Sequence, residues 1–170
     1  MSDVLTRWNG LPREEAVREI LPCCGARNWA VRMASGRPIQ DEASLLAASD
    51  VSWQTLGEED WLEAFRCHPR IGDSHPDKAA SAQFSAWSAQ EQQKVAWADD
   101  ATKWAVAQYN REYERKFGRT FIVCATGKTA GEILEILRRR LQNDEATELK
   151  QAAEEQRQIM HLRLKKWLCG

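Results

Sequence analysis

Only one stretch of this sequence has the character of a β-strand, the run Phe121-Ile122-Val123-Cys124-Ala125. Apolar and β-branched residues in a row fit the strand pattern, but no second convincing run exists to pair with this one. Nearly everywhere else the apolar residues return at three- and four-residue steps, the mark of helices with one buried face. The expected fold is all-α: a single compact helical domain over residues 1–170, with one short extended segment lining a pocket.

Proline, glycine and aspartate give the boundaries. Pro12 suits the first turn of a helix through Ala16, Val17, Ile20 and Leu21, which Pro22 stops. A short helix holds Trp29, Val31 and Met33 and ends at Gly36 and Pro38; Asp41 reads as the N-cap of the next, through Leu45, Leu46 and Ala48. A helix from near Glu58 carries Trp61, Leu62 and Phe65 and must end by His68, because Pro69 disfavours helical geometry in the residue before it. After an irregular stretch from Pro69 to about Trp87, a long helix is expected from Ser88 to Phe117, closed by Gly118. Ile133, Leu134, Leu137 and Leu141 mark another helix, and a last one from near Asp144 buries Leu149, Ala153, Met160, Leu164 and Trp167.

A chain of 170 residues, 43% hydrophobic and 29% charged, is long enough for one well-packed soluble domain. Its net charge of −1 argues against electrostatic binding of nucleic acid. No apolar run approaches the ~18–20 residues of a membrane span, and the start lacks the features of a secretory signal. The five cysteines are odd in number and form no C-x-x-C pair, which points to free thiols in a reducing cytoplasm. The end, Trp167-Leu168-Cys169-Gly170, carries neither a peroxisomal address nor a prenylation box.

Four places say more than helix. His68, at a forced helix stop and pinned by Pro69, has little backbone freedom and titrates near neutrality. It either caps the last helical carbonyls or is aimed at a ligand as acid or base; a metal site with Asp73 and His75 has no recognised ligand spacing. Ser88-Ala89-Gln90-Glu91-Gln92 reads as a capping box, or as a helix start whose amides hold a carbonyl or anion, with Glu91 turned to a pocket. The segment from Phe121 to Ala125 is either a packed connector or a wall whose backbone groups meet a ligand. Arg163 falls on the buried stripe of the last helix with Gln156, Met160 and Trp167, which calls for an internal salt bridge or an oxygen-bearing ligand. The run Arg138-Arg139-Arg140 reads as a solvated helix end.

In order, His68-Pro69-x-Ile71-Gly72, Ser88-x-x-Glu91-Gln92, Asn110-x-x-Tyr113-x-x-Lys116-Phe117-Gly118, Phe121 to Ala125 and Leu162-Arg163-Leu164 form a specific set. From Asn9 to Trp167 the chain resembles the 2-oxo-4-hydroxy-4-carboxy-5-ureidoimidazoline (OHCU) decarboxylases of urate degradation. The resemblance implies a helical homodimer that needs no metal or organic cofactor and converts OHCU to (S)-allantoin. By it His68, Glu91 and Arg163 are catalytic. Pro69, the wall Ser88, Ala89, Gln90, Glu91 and Gln92, and the segment Phe121, Ile122, Val123, Cys124 and Ala125 bind substrate. The chain departs from some members at Arg119-Thr120, where an aromatic residue and a proline are common. Two other classes stand beside this: a non-catalytic helical interaction module, and a metal-dependent hydrolase centred on His68, Asp73 and His75.

Overall fold

Polar caps and turn residues divide the chain into helices. The computed structural model describes residues 3–72, 81–96 and 98–170. They form α1 (Asp3–Gly10), α2 (Arg13–Ile20), a 3-10 turn (Leu21–Cys23), α3 (Arg27–Ser35), α4 (Glu42–Gln54) and α5 (Glu58–Arg66). There follow α6 (Ala82–Glu91), α7 (Gln93–Ala96), α8 (Asp100–Phe117), α9 (Ala130–Arg140) and α10 (Glu145–Cys169). No strand occurs among the described residues, so the all-α expectation holds. None of these helices is long and apolar enough to cross a membrane. The contacts group them into two compact units, Met1–Ala64 with Arg157–Gly170, and Phe65–Gln156.

In the first unit the tryptophans serve as bulk. Trp8 is fully buried; its indole donates to the Ala16 carbonyl at 3.0 Å and meets Trp167 edge to face at 5.5 Å. Arg37 lies over the Trp8 ring and donates to the carbonyls of Trp8 and Leu11 at 2.6 and 2.9 Å, which ties the turn between α1 and α2. Pro12 stands one residue outside α2, as its N-cap, and Pro22 does not simply stop the chain but sits inside the 3-10 turn. Both positions suit a residue without an amide hydrogen, since the amides of a first turn have no helical acceptor.

In the second unit α8 and α9 pack a core of Val106, Tyr113, Phe117, Ile133 and Leu137, closed by Phe121 and Val123 of the connecting segment. The long helix expected from Ser88 to Phe117 is in fact interrupted. Ser81 caps α6, its hydroxyl accepting from the Phe84 amide at 3.2 Å. Asp99 caps α8, accepting from the Thr102 amide and hydroxyl at 2.9 and 2.8 Å. Such a side chain offers the backbone an alternative to continued helix, and here it starts a new one. Ser88 therefore lies inside α6, and the expected capping box at Ser88 and Glu91 is absent. A capping box does stand at Thr129 and Glu132, at the start of α9.

Asp41, Asp99 and Asp144 share one device. Each carboxylate accepts from an amide three residues on, and these hydrogen bonds hold all three below the usual aspartate range. The folded chain then binds fewer protons than the unfolded chain in mild acid, so the stability these caps add is present above pH ~4 and lost as pH falls through and below it. The melting temperature is expected to hold near neutrality and to fall steadily below pH ~4. Asp99→Asn, which keeps a capping oxygen without the titration, should flatten part of that fall.

Candidate functional site

The second unit builds a site around His68. α5 ends at Arg66, and the His68 amide closes the turn on the Phe65 carbonyl at 3.1 Å, one residue before Pro69. The imidazole is 9% exposed. Its Nε2 lies 2.7 Å from Oε1 of the fully buried Gln156, and the ring packs edge to face on Phe84 at 4.9 Å. Thus the ring is aimed by two side chains from other helices. The loop beyond it is fastened at two points: Asn110 donates to the Ile71 carbonyl at 3.0 Å, and the Gly72 amide donates to Gln92 Oε1 at 3.0 Å. Gly72 has φ +83, a conformation that glycine adopts without strain.

Phe84 leads along α6 to two expected site residues. Steps of four and three residues place Ser88 and Glu91 on its face of the helix. Ser88 is 2% exposed, and Glu91 is half-buried at the helix end. The Cys124 thiol is pushed up chiefly by burial; Lys128 opposes this, while the Glu155 and Glu91 carboxylates add to it. Glu91 therefore lies close enough to the extended segment for its charge to be felt there. Because Ser88 is interior to α6, this stretch is not an open helix start, and Ala89 and Gln90 lie on the exposed side of the helix.

The run from Phe121 to Ala125, the expected extended segment, is buried throughout and belongs to no helix or strand. Side chains take up much of its hydrogen bonding. The Ile122 carbonyl accepts from Arg140 and the Cys124 carbonyl from Lys128, while the Cys124 amide donates to Glu155 at 2.8 Å. The Ala125 carbonyl accepts from the Lys128 amide at 3.0 Å. The amides of Val123 and Ala125 and the Val123 carbonyl make no hydrogen bond to another described residue. Arg140 is a correction to the expected solvated run: Arg138 and Arg139 are exposed, but Arg140 is 2% exposed and pairs with the fully buried Glu148. Leu137 and Leu141 flank it in the core, so its turn of α9 faces inward.

Arg163 is fully buried, as its place on the stripe of α10 required. It belongs to the first unit, where it donates to the Pro22 carbonyl at 3.4 Å and its charge acts on Cys23. Burial nevertheless pushes the Cys23 thiol up to about 12, so it stays protonated at neutral pH. Asp73 and His75 lie outside the described residues. Among the described residues no group of three or more His, Cys, Asp or Glu side chains is arranged to hold a metal ion. The sequence reading did not give Gln156 or Glu155 a role, although a glutamine on an otherwise apolar helix face was a visible signal that something polar had to meet it.

Known proteins place these features in a family. The sequence profile of the OHCU decarboxylases matches residues 9–165. The chain is 35% identical over 145 residues to the uric acid degradation bifunctional protein TTL of Arabidopsis thaliana, covering 85% of this chain and 44% of that one. It thus spans less than half the length of that bifunctional relative. It is 31% identical over 166 residues to the OHCU decarboxylase of Amia calva, covering 92% of this chain and 89% of that protein. The crystal structure of an OHCU decarboxylase determined in the presence of (S)-allantoin superposes with a TM-score of 0.76 at 31% identity, over 89% of this chain and 98% of that one. With a profile match over residues 9–165 and a shared helical fold, this chain belongs to the OHCU decarboxylase family.

Proposed function

We propose that the protein decarboxylates OHCU to (S)-allantoin, with His68, Glu91 and Arg163 as catalytic residues. The supporting observation is the setting of His68: a nearly buried imidazole, held by Gln156 and Phe84, on the unit that also carries the Glu91 face of α6 and the extended segment. Consecutive residues of α10 serve both parts, since Gln156 meets the imidazole and Glu155 holds the Cys124 amide. The amides of Val123 and Ala125, which meet no acceptor among the described residues, are groups this wall can offer to a ring or ureido oxygen. Pro69 and the stretch Ser88 to Gln92 complete the binding surface, with Gln92 acting through the Gly72 loop.

The chemistry asks little of the protein beyond position and charge. As CO2 leaves, the electron pair of the broken bond enters the ring and is taken up by the neighbouring C=N, so the substrate serves as its own electron sink. The carbon that bears the ureido group then gains a proton as the ring hydroxyl becomes the carbonyl. Glu91 accepts from substrate N–H groups, Arg163 holds a substrate oxygen, and His68 stabilises charge or handles the hydroxyl proton near the departing carboxylate. Delivery of the proton to one face gives the (S) product.

The direct test supplies freshly generated OHCU and follows its ultraviolet decay together with the growth of optical activity, with and without a chelator. Rapid decay with (S) rotation in both arms is expected. Decay no faster than the spontaneous reaction defeats the reading, and loss of rate with chelator favours the metal-dependent alternative. Arg163→Leu is expected to lower kcat/KM on the order of 10- to 100-fold, the loss of a charged hydrogen bond. A collapse of the melting temperature in that variant would show instead that the guanidinium is structural. The proposal also includes a homodimer in a reducing cytoplasm. The odd number of cysteines, with no C-x-x-C pair, accords with that compartment, and sedimentation of the purified chain tests the dimer.

A further inference from the structure

A histidine that handles one proton near one bond must present a defined nitrogen in a defined direction, and in this structure Gln156 meets the Nε2 edge of the ring. Gln156 is 0% exposed and its Oε1 lies 2.7 Å from His68 Nε2. An amide oxygen only accepts, so in this arrangement Nε2 carries the hydrogen and donates it. Phe84 packs edge-on against the ring and limits its tilt. Glu155, the adjacent residue of α10, anchors the Cys124 amide, so one turn of helix keeps the imidazole and the extended wall in register. An amide in this place orients the ring without bringing a negative charge beside it. A carboxylate would make the same hydrogen bond and would also favour the imidazolium.

From this geometry we infer that Gln156 is a positioning residue, which fixes the tautomer and aim of His68; the inference rests on the decarboxylase reading above. The test reads the imidazole itself. The chain has only three histidines, so nitrogen-15 NMR of the full-length protein can resolve the tautomer of each. His68 is expected as the Nε2–H form in the native protein. Gln156→Glu should raise the His68 titration midpoint by about 1–2 pH units and move the acidic limb of kcat/KM the same way. The ionisable groups on the described elements around the ring, among them Glu63, Arg66, Cys67, Glu91, Glu155, Cys124 and the paired Arg70 and Glu114, are the same in every variant, so such a shift belongs to position 156. Gln156→Met, similar in volume but without the acceptor, should lose the tautomer preference and lower kcat by about 10-fold, with KM little changed.

A folded Gln156→Met protein that keeps both the tautomer and the native kcat would overturn the inference. If that variant does not fold, Gln156→Glu decides, because an unmoved His68 midpoint there is equally fatal. The NMR readout needs no substrate. Native protein that shows the expected tautomer but leaves OHCU untouched would therefore count against the decarboxylase reading and not against the contact.

Discussion

Replacing His68 by Asn is expected to leave the helical signature and melting temperature close to those of the native protein while lowering turnover of OHCU by about 10²–10⁴-fold, the usual weight of a positioned acid or base. The variant keeps a polar side chain in place, while its shorter amide superposes on Nδ1 and gives up both the Nε2 contact with Gln156 and the packing on Phe84. KM should change far less than kcat, since the ring acts on the departing carboxylate or the hydroxyl proton and not on the ureido arm. Steady-state rates and a thermal melt on the same preparation separate the outcomes. Near-native turnover would remove His68 from the chemistry, and loss of folding would make its contact with Gln156 primarily structural.

The second large effect concerns stability and arises at Arg140. Glu148 is fully buried; its Oε1 accepts from the Tyr113 hydroxyl at 2.6 Å and from Arg140 Nε at 2.9 Å, and its Oε2 accepts from Asn143 at 2.9 Å. Burial, together with the hydrogen bond to Glu148, pushes the Tyr113 phenol well above its ordinary range, so it remains a donor throughout neutral pH. Arg140→Leu strands that carboxylate without its cation and leaves the Ile122 carbonyl without its donor. Breaking a buried pair in this way costs about 3–5 kcal/mol. Urea unfolding should show a loss of that size, and the double change Arg140→Leu with Glu148→Met should regain much of it. A loss below ~1 kcal/mol in the single variant would mean that water already reaches the pair. Because Arg140 also holds the extended segment, kcat/KM should fall in the single variant even where it is fully folded.

These two residues also show how legible the chain was. His68 could be singled out because proline chemistry is local: Pro69 decides where α5 ends whatever packs around it. Arg140 could not be distinguished from Arg138 and Arg139 by composition, and the run looked like an exposed helix end. Only its angular position beside Leu137 and Leu141, and the arrival of Glu148 from the next helix, separate it from its neighbours. The Ser88 capping box was misread for a related reason. The same short pattern serves as a cap at Thr129 and as helix interior at Ser88, and the start of α6 was decided several residues earlier by Ser81.

Local chemistry along the chain is enough to give the class of the fold and most helix ends, because apolar spacing, prolines and capping side chains act over one or two turns. It also singled out His68 and placed Arg163 on a buried face, since helical periodicity carries a residue's facing with it. The tertiary structure decided which partner each buried polar group meets: Gln156 for His68, Glu148 for Arg140, Glu155 for the Cys124 amide. Those pairs join residues far apart along the chain or on different elements. Hydrogen bonds and buried charges are satisfied in space, and no local pattern records which donor folding will bring to which acceptor.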